Sequence, residues 1–277
     1  MSAIQKKILD WYPKAFAKKK FFRFNNYLID LGLRGIGIMN HRNNGISGEK
    51  YLSEFLKSNY NLRTIFDVGA HKGDYADLFS SINGKIYCFE PNPGPYHVLK
   101  KRFAGNKKFV VHNMGLSDEV AEANIFDRVE NVGSVYASLY EEVITTLHHS
   151  MPDKIKIQLT TVDEFSKSKS ISKIDLLKID TEGHEFNVLQ GASRLIQDGV
   201  IDIIHFEFNE MNIISRNFLK DFIALLSNYN LYRLLPAEFL PIDYRYPHKM
   251  EIFAFQNVVA FRKDIDKLAD RVLKSRS

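Results

Sequence analysis

Four short stretches of this 277-residue chain combine residue types that can do chemistry. In residues 64–75, TIFDVGAHKGDY, an apolar run carrying Asp67 stops at Gly69, and His71, Gly73 and Tyr75 follow. Glycines in such a turn reach backbone angles closed to other residues and let a ligand lie against the main chain. The free N–H groups of a helix start beyond it favour an electron-rich or anionic group. The second stretch is Glu90, which ends the next apolar run, Lys85–Phe89. A carboxylate about 20 residues after a glycine turn has the spacing that hydrogen-bonds ribose hydroxyls in strand–helix–strand nucleotide sites. A nucleoside-containing cofactor between Gly69 and Glu90 is the chemistry expected. The middle glycine of the dinucleotide fingerprint is replaced by His71, which leaves less room for a pyrophosphate. The alternative is an ordinary strand-to-helix turn with a surface histidine.

The third stretch follows the buried run Ile174–Ile179 and reads Asp180-Thr181-Glu182-Gly183-His184-Glu185. Ligands of open α/β sheets bind beyond the carboxyl ends of the strands, so Asp180 is expected beside the crevice that Gly69 begins. Helix capping is a competing account, with Asp180 or Thr181 as the cap and Glu182 and Glu185 at the positive helix end. Capping leaves Lys178 unexplained, since a lysine within an apolar strand is costly unless paired. The fourth stretch ends Ile201–Phe208, where His205, Glu207 and Asn209 share one face of an alternating strand.

Positioning these groups takes a parallel sheet covered by helices, and from residue 64 apolar runs alternate with helical periods in that manner. Strands are predicted at 64–68, 85–90, 109–112, 174–179, 201–208 and 231–235, with a last one at 251–261. Helices are predicted at 73–82, 95–104 and 216–227, and one follows the acidic stretch through Ile196. Residues 119–160 break the rhythm with strands at 121–126 and 154–160 around a polar, mobile insertion, 127–153. There Asn131-Val132-Gly133-Ser134 and Ser138 are candidates to approach a cofactor, or belong to a solvated loop. Residues 1–60 read as a helical, basic-aromatic cap, 61–263 as the main domain and 264–277 as a charged, frayed helical tail.

Hydrophobic content of 45% and charged content of 26% are those of an ordinary globular chain. The single cysteine, Cys88, reads as a buried reduced thiol and excludes a disulfide framework or a cysteine-rich zinc site. Neither a membrane-spanning run nor a signal-peptide core is evident, which makes the cytoplasm the expected compartment. Lysines and aromatic rings interleave through residues 1–25. That segment either packs its rings on the main domain, or contacts a membrane surface peripherally. Nucleic acid is not expected, because no recognition motif accompanies the charge.

The order DVGAHKGDY, CFEPNP, TTVDEF, LLKIDTEGHEFNVLQGA and IIHFEFNE resembles the FkbM-type S-adenosylmethionine-dependent methyltransferases over about residues 62–261. The resemblance implies a class I methyltransferase (Rossmann-like) three-layer α/β sandwich, whose seven-stranded, mostly parallel sheet has an antiparallel last strand. It implies methyl transfer from S-adenosylmethionine to a hydroxyl of a sugar, glycan or glycolipid. By it, Asp67 and Gly69 shape the pocket for the methionine part and Glu90 takes the ribose hydroxyls. His71, Tyr75 and Asn92 lie nearby, Asn113 and Gly115 flank the adenine, and Asp180 sits at the cofactor–acceptor junction. Glu182 or His184 would assist deprotonation. A magnesium ion on Asp180, Glu207 and Asn209 is a less favoured mechanism. Two other functions stay open: an NAD- or nucleotide-sugar-dependent enzyme in the same crevice, and a non-catalytic module binding a membrane or a partner.

Overall fold

The computed structural model describes residues 2–129, 133–134 and 137–268. Eleven strands follow one another among them: β1 Thr64–Val68, β2 Lys85–Phe89, β3 Phe109–His112, β4 Gly115–Leu116, β5 Ala121–Arg128, β6 Pro152–Thr160, β7 Ile174–Ile179, β8 Ile201–Phe208, β9 Tyr229–Leu234, β10 Phe239–Pro241 and β11 Gln256–Arg262. The helices are α1 Ala3–Phe16, α2 Phe22–Gly35, α3 Glu49–Asn59, α4 Asp74–Asp77, α5 Pro93–Arg102, α6 Val162–Ser168, α7 Glu185–Gln190, α8 Ser193–Gln197, α9 Met211–Ser215, α10 Leu219–Leu225 and α11 Pro247–Met250.

Eight strands make one sheet in the order β10-β9-β11-β8-β7-β1-β2-β3. The pairs from β8 through β7, β1 and β2 to β3 are parallel, and β11 is antiparallel to both β8 and β9. This is the expected seven-stranded sheet with a reversed last strand, to which the short edge strand β10 adds an eighth. Its central strands read as near-continuous apolar runs because both faces are covered. On one face Phe66, Val68, Ile179 and Phe206 pack with Phe165 of α6, Val188 of α7, Leu195 of α8 and Phe222 of α10. On the other, Ile65, Ile86, Leu176 and Ile203 pack with Leu52 and Leu56 of α3, Ala76 of α4 and Leu99 of α5. Each fully buried side chain of this size contributes about 1.5–3 kcal/mol, so the two layers fix the strand ends rigidly.

Several boundaries differ from expectation for identifiable reasons. The helix expected at 73–82 is regular only over Asp74–Asp77. The helix expected to run through Ile196 breaks between α7 and α8. A Cβ at Gly191 would lie 1.9 Å from the Ser117 carbonyl oxygen, so the chain turns there against a neighbouring loop. The last strand begins at Gln256, not near 251, because Glu251 is used elsewhere. Its carboxylate accepts the Leu219 and Lys220 N–H groups at 2.8 and 2.9 Å and caps α10. In the N-terminal segment, α3 belongs to the core, whereas α1 and α2 bury no residue.

Strands β4, β5 and β6 build a second sheet in the order β4-β6-β5, in which β5 and β6 pair antiparallel over eight residues. Both ends of the predicted insertion are thus strand, and Val143 and Ile144 within it are buried. Asn131 and Val132, and the tail from residue 269, lie outside the described residues.

Candidate active site

The turn after β1 is closed by main-chain bonds. The Gly69 and Ala70 N–H groups both donate to the Phe89 carbonyl at 3.0 Å. Gly69 has φ +75°, and a Cβ there would stand 1.7 Å from the Asp180 carbonyl oxygen. The tips of β1 and β7 therefore touch, which only glycine allows. His71 follows in the left-handed region at φ +46°. Its N–H donates to Glu90 Oε2 at 2.8 Å, and its Nε2 lies 3.1 Å from the Gly133 carbonyl oxygen. The other Glu90 oxygen accepts the Asn92 N–H at 2.8 Å. Burial outweighs these two bonds and pushes the Glu90 carboxyl up to about 7.

Gly69, His71, Glu90, Gly115, Asp180, Thr181, Glu182 and His184 line one cleft at the carboxyl ends of β1, β2 and β7. Ile125, Leu139, Ile157 and Leu159 close its far wall from the second sheet. The acidic turn has a division of labour that capping alone does not give. Glu185 is fully buried, and its carboxylate accepts the N–H groups of Thr181 at 2.8 Å and Gly183 at 3.1 Å. Glu185 is therefore the structural acid. Glu182 stands at φ +54° and Gly183 at φ +102°, while Ser138 Oγ donates to the Glu182 carbonyl at 2.7 Å. A left-handed glutamate is strained, and this one is held in place beside the cleft by its neighbours. Burial, then repulsion from Glu207 and Asp180, raises its carboxyl well above the usual range.

His184 also lines the cleft, but both ring nitrogens are engaged. Nε2 lies 2.8 Å from Ser117 Oγ, whose own proton goes to Asp118 at 2.8 Å, so Nε2 carries the proton and donates. Nδ1 lies 3.3 Å from the Tyr140 hydroxyl. Burial lowers the His184 pKa to about 4. The ring is neutral at pH 7 and a weaker base than Glu182.

Four residues expected at the cofactor do not line this cleft. Asp67 is fully buried one layer below, 3.3 Å from Lys178 Nζ, and Lys178 also reaches Asp180 at 3.2 Å. The lysine that interrupts β7 thus has two carboxylate partners. Tyr75 is buried with its hydroxyl 2.9 Å from His205 Nδ1, whose Nε2 meets Asn257 Oδ1 at 3.0 Å. Asn92 caps α5 through the Gly94 N–H at 3.2 Å. Asn113 Nδ2 donates to the Glu90 and Pro91 carbonyls at 2.9 and 3.0 Å and holds the end of β2. Nor does the proposed magnesium set converge. Asn209 turns its amide nitrogen to Glu207 and its oxygen to the Met211 N–H at 2.8 Å, and Asp180 is committed to Lys178. Among the described residues no three His, Cys, Asp or Glu gather as metal ligands would.

Sequence reading missed Asp127. It is fully buried and accepts from Asn92 Nδ2 at 2.8 Å, Gly133 N–H at 2.6 Å and Ser134 Oγ at 2.6 Å. The signal was present, because strand alternation puts Asp127 on the same face as Ile125, the apolar side. Asp127→Asn replaces an acceptor with a donor facing donors. Unfolding in urea is expected to show a loss of about 1–3 kcal/mol, and an unchanged midpoint would remove this bond set from the account.

A parallel sheet with a reversed last strand, and a ligand cleft across the tips of its first two strands and β7, defines a class I methyltransferase fold. The sequence matches the methyltransferase FkbM domain over residues 67–234, and the chain belongs to that family. A curated relative, hexuronic acid methyltransferase AglP of Haloferax volcanii, is 25% identical over 134 residues, covering 48% of this chain and 51% of the relative. The chain thus spans about half the length of that relative. An FkbM methyltransferase from Methylobacillus flagellatus KT superposes with TM-score 0.43 at 13% identity, covering 73% of this chain and 44% of the other. Magnesium protoporphyrin IX methyltransferase from Synechocystis PCC 6803 with bound SAM gives 0.40 at 10% identity, covering 78% of each chain.

Proposed function

We propose that this protein is an S-adenosylmethionine-dependent O-methyltransferase whose acceptor is a hydroxyl of a sugar, glycan or glycolipid. The observation that carries the reading is one cleft walled by the Gly69–His71 turn, Glu90 and Asp180. The residues fit the cofactor. Each Glu90 oxygen accepts one N–H and keeps a lone pair for a ribose hydroxyl. Gly69 leaves main chain bare where the methionine part would lie, and Gly115 with the apolar wall suits the adenine. His71, turned to the Gly133 carbonyl, occupies room that a pyrophosphate would need. The sugar assignment draws on the relative's printed substrate, a hexuronic acid.

Bound S-adenosylmethionine supplies an electrophilic methyl group on a sulfonium. The chain's own residues orient the acceptor oxygen in line and take its proton as the oxygen–carbon bond forms and the carbon–sulfur bond breaks. Asp180, fixed by Lys178, stands where acceptor and cofactor meet, and Glu182 is the proton acceptor.

Calorimetry with S-adenosylmethionine tests the first half. Saturable binding is expected, weakened about tenfold to a hundredfold in Glu90→Gln, since a hydrogen bond to a charged group contributes about 1.5–3 kcal/mol. A folded protein that binds no S-adenosylmethionine, or a Glu90→Gln variant that binds as tightly, would falsify the reading.

A further inference from the structure

The two N-terminal helices pose a problem that the core does not solve. In α1, Ile4, Ile8 and Trp11 recur at helical spacing, yet they are 71%, 53% and 57% exposed. In α2, Phe24, Tyr27, Leu28 and Leu31 form a second such stripe, all exposed, with Phe22 at 64%. Apolar stripes of this kind normally face a core. The helices instead fold against each other through aromatic rings, with Phe16 of α1 lying 5.0 Å from Phe21 at the bend and 5.9 Å from Phe24 of α2, ring centre to ring centre. The Tyr12 hydroxyl donates to Asn25 at 2.7 Å, and Asn25 reaches back to the Phe16 carbonyl at 3.0 Å. The hairpin has its own internal order, while its outer apolar faces have no cover among the described residues.

Charge says what the cover is. Residues 2–36 hold eight Lys and Arg against two Asp, whereas the rest of the chain holds 30 against 31. The whole net charge of +5 therefore comes from the hairpin. In α1, Lys6 lies opposite the apolar arc through Ile4, Ile8 and Trp11, while Lys7 and Lys14 flank that arc at helical spacing, and Lys18, Lys19 and Lys20 sit at the bend between the helices. A second copy of the hairpin would bring the same positive charge onto itself. An anionic bilayer complements both the rings and the lysines. No described helix is long and apolar enough to cross a membrane, and each hairpin helix has 14 residues, about 21 Å, so the helices lie in the surface.

The hairpin is tied to the edge of the sheet where the cleft opens. Arg233 Nη1 donates to the Ile36 carbonyl at 3.2 Å and the Met39 N–H to the Phe255 carbonyl at 2.7 Å, next to the end of β9 and the start of β11. We propose that α1 and α2 form an in-plane anchor for anionic phospholipid bilayers, which holds the carboxyl edge of the sheet at the membrane surface. The anchor does not depend on the methyl-transfer reading.

Vesicle flotation of the full chain tests it. Binding is expected to vesicles rich in phosphatidylglycerol, to fall steeply in high salt, and to be weak on phosphatidylcholine alone. Lys18→Glu/Lys19→Glu/Lys20→Glu is expected to weaken binding roughly a hundredfold, at about 1 kcal/mol per lysine near an anionic surface. Ile8→Asp/Trp11→Asp is expected to abolish it. Both variants should keep the thermal midpoint of the parent, since none of these side chains is in the core. No flotation on anionic vesicles, flotation unchanged in the triple variant, or a two-chain species by light scattering that fails to float would each overturn the anchor.

Discussion

Glu182→Gln is expected to lower turnover by about 10²–10⁴-fold, the usual worth of a general base, while leaving S-adenosylmethionine affinity nearly unchanged. Glutamine keeps the side-chain shape and the main-chain bond from Ser138, so the left-handed turn should survive. What it loses is the ability to take a proton. The pH profile separates this from a positioning role. Burial together with Glu207 and Asp180 raises the Glu182 carboxyl, and only its ionised form is a base, so the rate should rise with pH through that raised pKa and then level. Burial and Asp180 raise the Glu207 carboxyl in its turn, and wherever it is ionised it repels Glu182, so Glu207→Gln should lower the Glu182 pKa and move the rising limb to lower pH. A rate loss under about tenfold, or a limb that stays in place in Glu207→Gln, would assign deprotonation to another group. His184 is the weaker rival, since both its nitrogens are already bonded.

The sheet was legible because parallel strands buried on both faces write themselves as apolar runs, and IDLLKI and IDIIHFEF could hardly be anything else. The cleft was legible in part for a related reason. Strand ends carry the chemistry, and Gly69, Glu90 and Asp180 are the residues at three of them. What the sequence concealed was direction. Asp67 is as close in sequence to Gly69 as His71 is, and Tyr75 lies one helical turn beyond His71, but the pleat turns Asp67 toward Lys178, and the short α4 turns Tyr75 toward His205. Acidic residues three apart, Glu182 and the buried Glu185 with a turn between them, likewise divide into a strained cleft residue and a loop brace only once the backbone angles are known. The far wall was hidden for another reason. It comes from β5 and β6, whose pairing is a long-range event that local patterning does not reveal, and whose intervening chain reads as polar.

Lys178→Met should cost about 3–5 kcal/mol of stability, the usual penalty for stranding one buried charge by removing its partner. Asp67 is fully buried, and the ammonium at 3.3 Å is its ion-pair partner. The pair is not symmetric: Lys178 pulls the Asp67 carboxyl down, but burial outweighs that pull and raises it. Burial alone would lower the Lys178 pKa, but Asp180, Asp67 and Glu49 outweigh it and hold the ammonium charged above its ordinary range. Adding Asp67→Leu to Lys178→Met removes the stranded charge, and such double replacement of a buried pair by apolar groups is often neutral. The double variant is therefore expected to recover most of the lost stability in urea, with a coupling energy of about 0.5–3 kcal/mol or more. Turnover should not recover with it, because Asp180 has lost the 3.2 Å contact that fixes it at the mouth of the cleft. Additive stability losses would mean that Asp67 and Lys178 act separately. Restored turnover in the stable double variant would mean that Asp180 needs no such tether.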